Sequence, residues 1–333
     1  MLVRGRVSQE EAAAVLRLAG AAAGADGVVP LSEQVRLHLE YGGDDRARNL
    51  LLADGGELAG FAHLGYPDEA GARGGELVVG PGHRRKGNGL RLTRALLAEA
   101  AGGEVRLWAH GDLPAAGRLA AAAGFTRSRA LWQMRRPLTD PLPPPSLPPG
   151  VTLRTFVTGQ DEDEWVALNG RAFAGHPEQG SWTREDLDRR EREPWFDPGG
   201  FFLAQRDGRL TGFHWTKIHR AAEVAGREGL DEAAAQPVGE VYVVGVDPAE
   251  QGTGLGRALT LAGLHYLRER GLPEVMLYVD ESNTAAIRLY GSLGFTHTGT
   301  DVMYSSSGSG GHSAAPGDTP GPRWPHTPPA GHG

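Results

Sequence analysis

Cysteine is absent from this chain of 333 residues. Its absence excludes disulfides, thiolate metal sites and cysteine nucleophiles, so covalent catalysis would fall to weaker groups such as serine, lysine or carboxylates. Long apolar runs are missing too, because the longest fall far short of the roughly 20 residues that a bilayer span needs. The N-terminus turns acidic where a signal peptide would be apolar. We therefore expect a cytoplasmic protein that does not contact membranes.

Basic residues are too few for broad nucleic-acid binding. The chain has 34 Lys and Arg against 41 Asp and Glu, which gives a formal net charge of -7. Nucleic-acid binding normally shows an extended basic face instead. Arg84, Arg85 and Lys86 form only a local cluster, and its place at a glycine turn favours a phosphate neighbour over a solvated turn.

Low-complexity segments divide the chain. A hydrophobic content of 40% is enough for two ordinary domains, each with its own core. Residues 138–150 are rich in proline, which favours an extended, semi-rigid linker. Residues 305–333 are mostly Gly, Ser and Pro with little to bury, which predicts a disordered tail whose histidines are too irregular for a metal site. We therefore predict domains at 1–137 and 151–304.

Two glycine-rich turns mark an internal repeat. QGTGLG at 251–256 follows the apolar run Val241 to Val246, and RRKGNG at 84–89 follows Leu77 to Val79. An amphipathic segment begins after each turn, so each turn brings unpaired backbone N–H groups to the positive end of a helix. Such an end suits a pyrophosphate.

The rest of each half repeats as well. Residues 51–61 and 202–213 have the pattern of a β-hairpin, and residues 10–23 and 161–173 have apolar residues at helical spacing. Each half is predicted to run strand, helices, hairpin, long strand, glycine turn, helix, strand, helix and strand. This order indicates an α/β fold of two tandem domains, each a mixed, mainly antiparallel sheet flanked by helices.

The two copies differ at two positions that matter for chemistry. Residues 285–290 match residues 115–120, but Ala120 stands where the second copy has Tyr290. Counting back from the glycine turns without a gap places Arg73 opposite Glu240. The first half therefore lacks both the phenol and the carboxylate, and the second half is the candidate catalyst.

These motifs resemble the GCN5-related N-acetyltransferases (GNAT). The turn QGTGLG matches the family signature Q/R-x-x-G-x-G/A, and residues 283–290 match N-x-A-A-x-x-x-Y. The resemblance covers both halves and implies acetyl-CoA as co-substrate, with no metal. The first half either binds acetyl-CoA without turning it over or keeps the fold for a purely structural reason. The implied acetyl-CoA contacts are Leu77, Val78, Val79, Arg84, Arg85, Lys86, Gly87, Asn88 and Gly89 in the first half, and Val244, Gly245, Val246, Gln251, Gly252, Thr253, Gly254, Leu255, Gly256, Arg257, Asn283, Thr284, Ala285, Ala286, Ile287 and Arg288 in the second.

Longer segments of the second half are more specific. They are GHPEQGSWT (175–183), GFHWTKIH (212–219), GEVYVVGVDP (239–248) and LYVDESNTAAIRLY (277–290). They resemble the tandem GNAT enzymes that form mycothiol. That resemblance implies acetyl transfer from acetyl-CoA to the cysteinyl amine of a cysteinyl-glucosaminyl-inositol, and we expect a monomer with this small molecule as its partner.

The chemistry of amine acetylation assigns roles to individual residues. Attack on a thioester needs a neutral amine, a polarised carbonyl and a protonated or stabilised thiolate. Glu240 is the candidate base, with a solvent-facing carboxylate as the alternative, and Tyr290 is the candidate acid toward the CoA sulfur, with core packing as the alternative. Asn283 is either an acetyl-CoA ligand or only a helix N-cap. The resemblance places these side chains around the acceptor: Glu33, Glu178, Lys217, Glu240 and Tyr278.

Two other functions stay open at this point. A tandem GNAT that acts on another small-molecule amine or on a protein N-terminus would share the same donor site. A non-catalytic acetyl-CoA sensor would match the first half taken alone. The connection at residues 219–238 is longer than two strands need, and it would form either a lid or a surface insertion. If it reshapes the pocket wall, the role of Lys217 and the identity of the acceptor would change, whereas the donor site would not.

Overall fold

The fold is organised around one continuous sheet. The computed structural model describes residues 1–40, 46–68, 71–174, 179–221, 224 and 235–306. Within these residues twelve strands form a single sheet in the order β1-β2-β3-β4-β5-β12-β6-β11-β10-β9-β8-β7. Helices cover the sheet, so the predicted α/β architecture is confirmed.

The first half supplies six strands and four helices of the described chain. The strands are β1 (Leu2–Arg4), β2 (Arg48–Asp54), β3 (Glu57–Pro67), β4 (Arg73–Val79), β5 (Val105–Ala109) and β6 (Phe125–Pro137). The helices are α1 (Gln9–Asp26), α2 (Glu33–Glu40), α3 (Asn88–Glu99) and α4 (Pro114–Ala122).

The second half repeats this order, as the sequence pattern predicts. Its strands are β7 (Val151–Thr155), β8 (Phe201–Arg206), β9 (Arg209–His219), β10 (Val238–Val246), β11 (Glu274–Asp280) and β12 (Thr296–Ser306). Its helices are α5 (Glu162–Ala172), α6 (Arg184–Glu191), α7 (Leu255–Glu269) and α8 (Thr284–Ser292).

Local sequence signals set where α1 and α6 begin. Ser8 caps α1 in a capping box with Glu11, and Thr183 caps α6 in the same way with Asp186. Each box satisfies backbone donors that the first turn leaves unpaired. Helix α1 then buries an apolar face that includes Val15, which has no exposed surface.

The halves exchange their last strands. Strand β12 lies between β5 and β6, and β6 in turn lies between β12 and β11. Val302, at the centre of β12, is opposite Ala109 of the first half on one side and Ala130 on the other. Each half thus completes its sheet with a strand of the other half, and the halves are continuous through their backbone hydrogen bonds.

The segments between and after the halves differ slightly from expectation. Residues 138–150 contain no helix or strand. Strand β12 continues to Ser306, whose side chain accepts a hydrogen bond from the N–H of Val105, so two residues assigned to the tail belong to the sheet. Residues 307–333, and most of the long connection between His219 and Val238, lie outside the described residues. No described helix is long and apolar enough to cross a bilayer.

Because β12 belongs to both halves, weakening it should destabilise both. Val302→Ala removes two buried methyl groups and should lower the free energy of unfolding by about 2 kcal/mol. Urea denaturation followed separately by fluorescence and by far-UV circular dichroism measures the change, and the two signals should shift together.

The matched control is Val157→Ala, because Val157 is 40% exposed and outside the exchanged strands. It should change stability by less than about 0.5 kcal/mol. Separate transitions in Val302→Ala, with one half unaffected, would show that the exchange does not couple the halves.

Candidate active site

The parallel strands of the second half separate after a short ladder. β10 and β11 pair at Gly239 with Val275 and at Glu240 with Met276. β10 then continues to Val246 along β9, while β11 continues to Asp280 along β6. Beyond Glu240 the facing edges of β10 and β11 are not paired with each other, so their backbone N–H and C=O groups face a gap in the sheet. An amide-containing chain such as pantetheine can pair with such an edge.

The glycine turn lies where this gap meets α7. Gly252 and Gly254 have φ values of 80° and 89°, a left-handed conformation that disfavours side chains. Gly254 is the N-cap of α7 and provides no side-chain cap, so the first N–H groups of the helix are not satisfied by a side chain. The turn has the backbone geometry of an anion site, as QGTGLG predicts.

A β-bulge follows the candidate base. Val241 is opposite Thr216 and Val243 is opposite Trp215, so Tyr242 is an extra residue in β10. Bulges bend a strand and redirect side chains. The corresponding part of the first half has no such insertion, because β4 pairs regularly with β3 from Gly75 to Val79.

A cavity of about 790 Å³ opens beside the bulge, on the face of the sheet that carries Glu240. Residues of both halves line it, and among them are the predicted acceptor residues Lys217, Glu240 and Tyr278. Its other polar lining side chains are Ser32, Arg36, His110, Gln133, Arg135, His219, Tyr242, Thr298, Thr300 and Asp301. The cavity can therefore offer both signs of charge and many hydrogen bonds to a polar molecule.

Glu240 is buried in the wall of this cavity and bonded to a histidine. Its Oε2 atom lies 2.6 Å from Nε2 of His219, and the two residues are 8% and 3% exposed. Glu240 is therefore a buried carboxylate with a hydrogen-bond partner and does not face solvent at the strand end. Its role as the base stays a prediction.

Lys217 and Tyr278 flank the carboxylate on neighbouring strands. Lys217 is directly opposite Glu240 in the β9–β10 ladder, yet its Nζ atom lies over the ring of Trp195, 4.6 Å from the centroid. Aromatic faces attract ammonium groups, so this contact holds the cation at the cavity wall. The Tyr278 hydroxyl accepts a hydrogen bond of 3.1 Å from Gln133 of β6.

Tyr290 lies on the other face of the sheet. It packs with Val244 and with apolar residues of α7, and its ring meets Phe295 edge to face at 5.7 Å. Burial raises the pKa of its hydroxyl to about 12. Within the described residues this hydroxyl has no hydrogen-bond partner. Tyr290 is not among the residues that line the cavity beside Glu240.

The helix that carries Tyr290 begins as predicted. Asn283 is the N-cap of α8, and its Oδ1 atom accepts a hydrogen bond of 3.1 Å from the N–H of Ala286. Arg257, at the start of α7, donates to Ser292 at the end of α8 over 2.7 Å. These contacts fix the two helices that border the predicted donor site.

The first half has its own pocket at the matching place. β4 and β5 pair from Arg73 to Gly75 and then separate, leaving a cavity of about 520 Å³. All the predicted acetyl-CoA contacts of this half line the cavity except Lys86. Arg84 is already held by a bidentate pair with Asp26 at 2.7 Å, which raises the pKa of its guanidinium.

The first half is not equipped for proton transfer at the matching positions. Arg73 donates to the backbone carbonyls of Gly65, Glu99 and Arg46, so it has a structural role. Ala120 offers no functional group where α8 has its phenol. The matching positions of the first half therefore have neither a carboxylate nor a phenol.

His110 connects the two cavities, because it lines both. Its Nδ1 atom lies 3.1 Å from Asp301 and its Nε2 atom 3.6 Å from Glu76. Burial alone would lower the pKa of His110, but the two carboxylates raise it to about 10. The imidazole is therefore cationic at neutral pH and joins β5 to β12.

Two predicted acceptor residues are only partly accounted for. Glu178 lies outside the described residues. Glu33 begins α2, and its neighbours Leu31, Ser32 and Arg36 line the 790 Å³ cavity, but its side chain is not among those described. Both assignments stay predictions.

The sequence motifs did not point to His219 or to the cavity residues that the exchanged strands contribute. His219 ends the motif GFHWTKIH, two residues after Lys217, so the alternation of a strand could have placed it on the same face. Gln133, Arg135 and Asp301 had no comparable signal, because the exchange of β6 and β12 brings them to the cavity.

The chain is similar to known proteins over most of its length. A profile described as the acetyltransferase (GNAT) family matches residues 23–125 and 164–295. A mycothiol acetyltransferase of Thermobispora bispora is 67% identical, with 87% of this chain and 94% of the relative covered. A mycothiol acetyltransferase of Acidothermus cellulolyticus is 56% identical, with 92% and 94% covered.

The chain belongs to the mycothiol acetyltransferase family of GNAT proteins. A crystal structure of a GCN5-related N-acetyltransferase from Sphaerobacter thermophilus has a TM-score of 0.70 at 26% identity, over 92% of this chain and 95% of that one. A tandem GNAT protein of the clavulanic acid pathway has a TM-score of 0.66 at 20% identity, over 93% and 99%, which shows a shared fold. GNAT acetyltransferases use acetyl-CoA, in agreement with the glycine turn.

The glycine turn of α7 allows a sharp test of the donor site. Gly254→Ala places a Cβ in a left-handed conformation, although no atom lies within 4 Å of the added carbon. The strain of about 1–2 kcal/mol should distort the turn and raise the KM for acetyl-CoA by about ten-fold, as measured by steady-state kinetics.

Gly271→Ala is the matched control, because Gly271 has a φ of 78°, equally open surroundings and a place beyond the far end of α7. It should reduce stability and leave the KM for acetyl-CoA unchanged. Equal KM values in both variants would mean that the turn does not hold the donor.

Proposed function

We propose that this protein transfers the acetyl group of acetyl-CoA to the cysteinyl amine of 1D-myo-inositol 2-(L-cysteinylamino)-2-deoxy-alpha-D-glucopyranoside, forming mycothiol. One observation carries the proposal. A buried carboxylate, Glu240, lies in the wall of a large polar cavity, at the point where β10 and β11 separate. A thioester held in the gap would present its carbonyl carbon to an amine beside that carboxylate.

The second half is proposed to hold the reacting donor. The free edge of Val244 to Val246 would pair with the amides of pantetheine, and the N–H groups of the glycine turn before α7 would bind the pyrophosphate. Residues 283–288 would border the donor at the start of α8. The first-half pocket would hold a second acetyl-CoA that is not turned over, because Arg73 and Ala120 provide neither base nor acid.

The acceptor is proposed to occupy the cavity between the halves. A sugar-inositol offers many hydroxyl groups, and the cavity lining offers Arg, Asp, Gln and Thr side chains to bind them. Lys217 places a cation next to Glu240, and a neighbouring like charge favours the neutral form of the acceptor amine. Glu33, Glu178 and Tyr278 would complete the acceptor site.

The reaction balances with these groups. The amine nitrogen attacks the thioester carbon, an N–C bond forms, and the C–S bond breaks with its electron pair on sulfur. The acceptor, an ammonium in solution, loses two protons to Glu240 in succession, while the Tyr290 hydroxyl donates one proton to the departing thiolate. Free CoA and one proton are released, and the phenol regains its proton from solvent.

A single chain is proposed to be sufficient. Strand exchange is completed between the halves of one chain, and residues of both halves line the acceptor cavity. We therefore propose a monomer, which sedimentation of the purified protein would test.

Removing either proton-transfer group should lower turnover. Glu240→Gln and Tyr290→Phe should each reduce kcat by about 10² to 10⁴, the usual contribution of a general base or acid, with acetyl-CoA affinity nearly unchanged. Release of the CoA thiol, measured with the cysteinyl-glucosaminyl-inositol and with unrelated amines, is the assay.

Arg118→Ala is the control variant, because Arg118 is the first-half counterpart of Arg288 and should leave the rate nearly unchanged. Faster acetylation of an aminoglycoside, polyamine or peptide N-terminus than of the sugar-inositol would favour another acceptor. No turnover with any amine would favour an acetyl-CoA sensor.

The raised pKa of Tyr290 predicts the basic side of the pH profile. A phenol with a pKa of about 12 keeps its proton through neutral and moderately alkaline pH, so it remains able to donate. We expect kcat to show no decrease due to Tyr290 below about pH 10. A basic limb near pH 8 that disappears in Tyr290→Phe would contradict this assignment.

A further inference from the structure

His219 and Glu240 contact each other across two neighbouring strands of the sheet. Glu240 is opposite Lys217 in the antiparallel ladder of β9 and β10, and Val238 is opposite His219. His219 is therefore the diagonal neighbour of Glu240 on the same face of the sheet. Both side chains line the acceptor cavity, and the distance of 2.6 Å joins Nε2 to Oε2.

We propose that His219 is a positioning residue for acetyl transfer, which holds the Glu240 carboxylate toward the acceptor amine by donating a hydrogen bond from Nε2 to Oε2. An ionised carboxylate can only accept hydrogen bonds, so the imidazole must be the donor. The bond fixes both the carboxylate rotamer and the tautomer of the imidazole. This inference rests on the proposed role of Glu240 as the base.

Lys217 lies directly opposite Glu240 in the ladder, but its ammonium group contacts aromatic rings. Its ammonium lies 4.6 Å from the Trp195 ring centroid and 5.7 Å from that of Tyr242, and it makes no ion pair within the described part of the chain. The lysine therefore does not take the place of His219 at the carboxylate, and it remains available to the acceptor.

A purely structural histidine on the same strand shows the contrast. His214 of β9 has no exposed surface, points toward α7 and bonds through Nδ1 to the carbonyl of Leu259 at 2.8 Å. Burial lowers the pKa of its imidazole to about 4. Among the residues that the structure describes, His214 contacts no carboxylate and is not part of the cavity lining, which makes it the matched control for a histidine that acts only through packing.

The test compares His219→Leu with His219→Gln, because glutamine keeps an N–H donor and leucine does not. His219→Leu should lower kcat by about 10- to 100-fold and leave the KM for acetyl-CoA within about two-fold. The acidic limb of the pH dependence of kcat/KM should move to higher pH, since the charged form of the carboxylate loses a hydrogen bond. His219→Gln should restore most of the rate.

The other charged or titratable groups that line the cavity are kept unchanged in these variants, so they cannot cause a difference between them. They are Arg36, His110, Arg135, Lys217, Tyr242, Tyr278 and Asp301. His214→Gln should lower the melting temperature without moving the pH profile. The double variant of His219→Leu with Glu240→Gln should be no slower than Glu240→Gln alone, because the histidine acts through the carboxylate.

Three results separate the outcomes. A normal rate and pH profile in His219→Leu, with Glu240→Gln strongly impaired, would overturn the positioning role and leave the proposed function intact. A normal rate in Glu240→Gln would overturn the proposed base and this inference with it. Equal losses in His219→Leu and His219→Gln, with no pH shift and a lowered melting temperature as in His214→Gln, would reduce His219 to a packing residue.

Discussion

The exchange of β6 and β12 is the constraint on which the rest of the molecule depends. Each half needs the other half's last strand to complete its sheet, because β12 pairs with the side of β5 that faces away from β4, and β6 pairs with the side of β11 that faces away from β10. The exchange also delivers Gln133 and Arg135 from one half, and Asp301 from the other, to one cavity. A site built in this way requires both halves even when only one performs chemistry.

The two copies share a backbone frame and differ at a few positions of the site. Both have the same gap between parallel strands and the same glycine turn, with Gly87 and Gly254 as left-handed N-caps. The second half adds a bulge at Tyr242, a carboxylate at Glu240 and a phenol at Tyr290. The first half has Arg73, whose guanidinium is held by three carbonyl groups. Backbone geometry is therefore common to both pockets, and side chains account for the difference between them.

Much of this arrangement could be predicted from the sequence, because the repeat, the glycine turns and the hairpins are local patterns. The order of elements, the N-cap at Asn283 and the lining of the cavity by Lys217, Glu240 and Tyr278 follow from such patterns or from family motifs. The strand exchange could not be predicted, since apolar alternation shows that a strand forms and leaves its neighbour undetermined. The partnership of His219 with Glu240 was missed for a related reason. A diagonal contact depends on the register between two strands that are separated by a long connection.

The positions of Glu240 and Tyr290 on different faces of the sheet restrict how the substrates can meet. An amine in the acceptor cavity is close to the carboxylate, and a sulfur next to Tyr290 would lie on the side of α7 and α8. Only a thioester that passes through the gap between β10 and β11 can present its carbonyl to one side and its sulfur to the other. In the proposed reaction, the separation of these strands after Glu240 would therefore do more than hold pantetheine. It would be the opening that lets a base on one face and an acid on the other act on a single thioester, and it would orient the leaving thiolate away from the incoming amine.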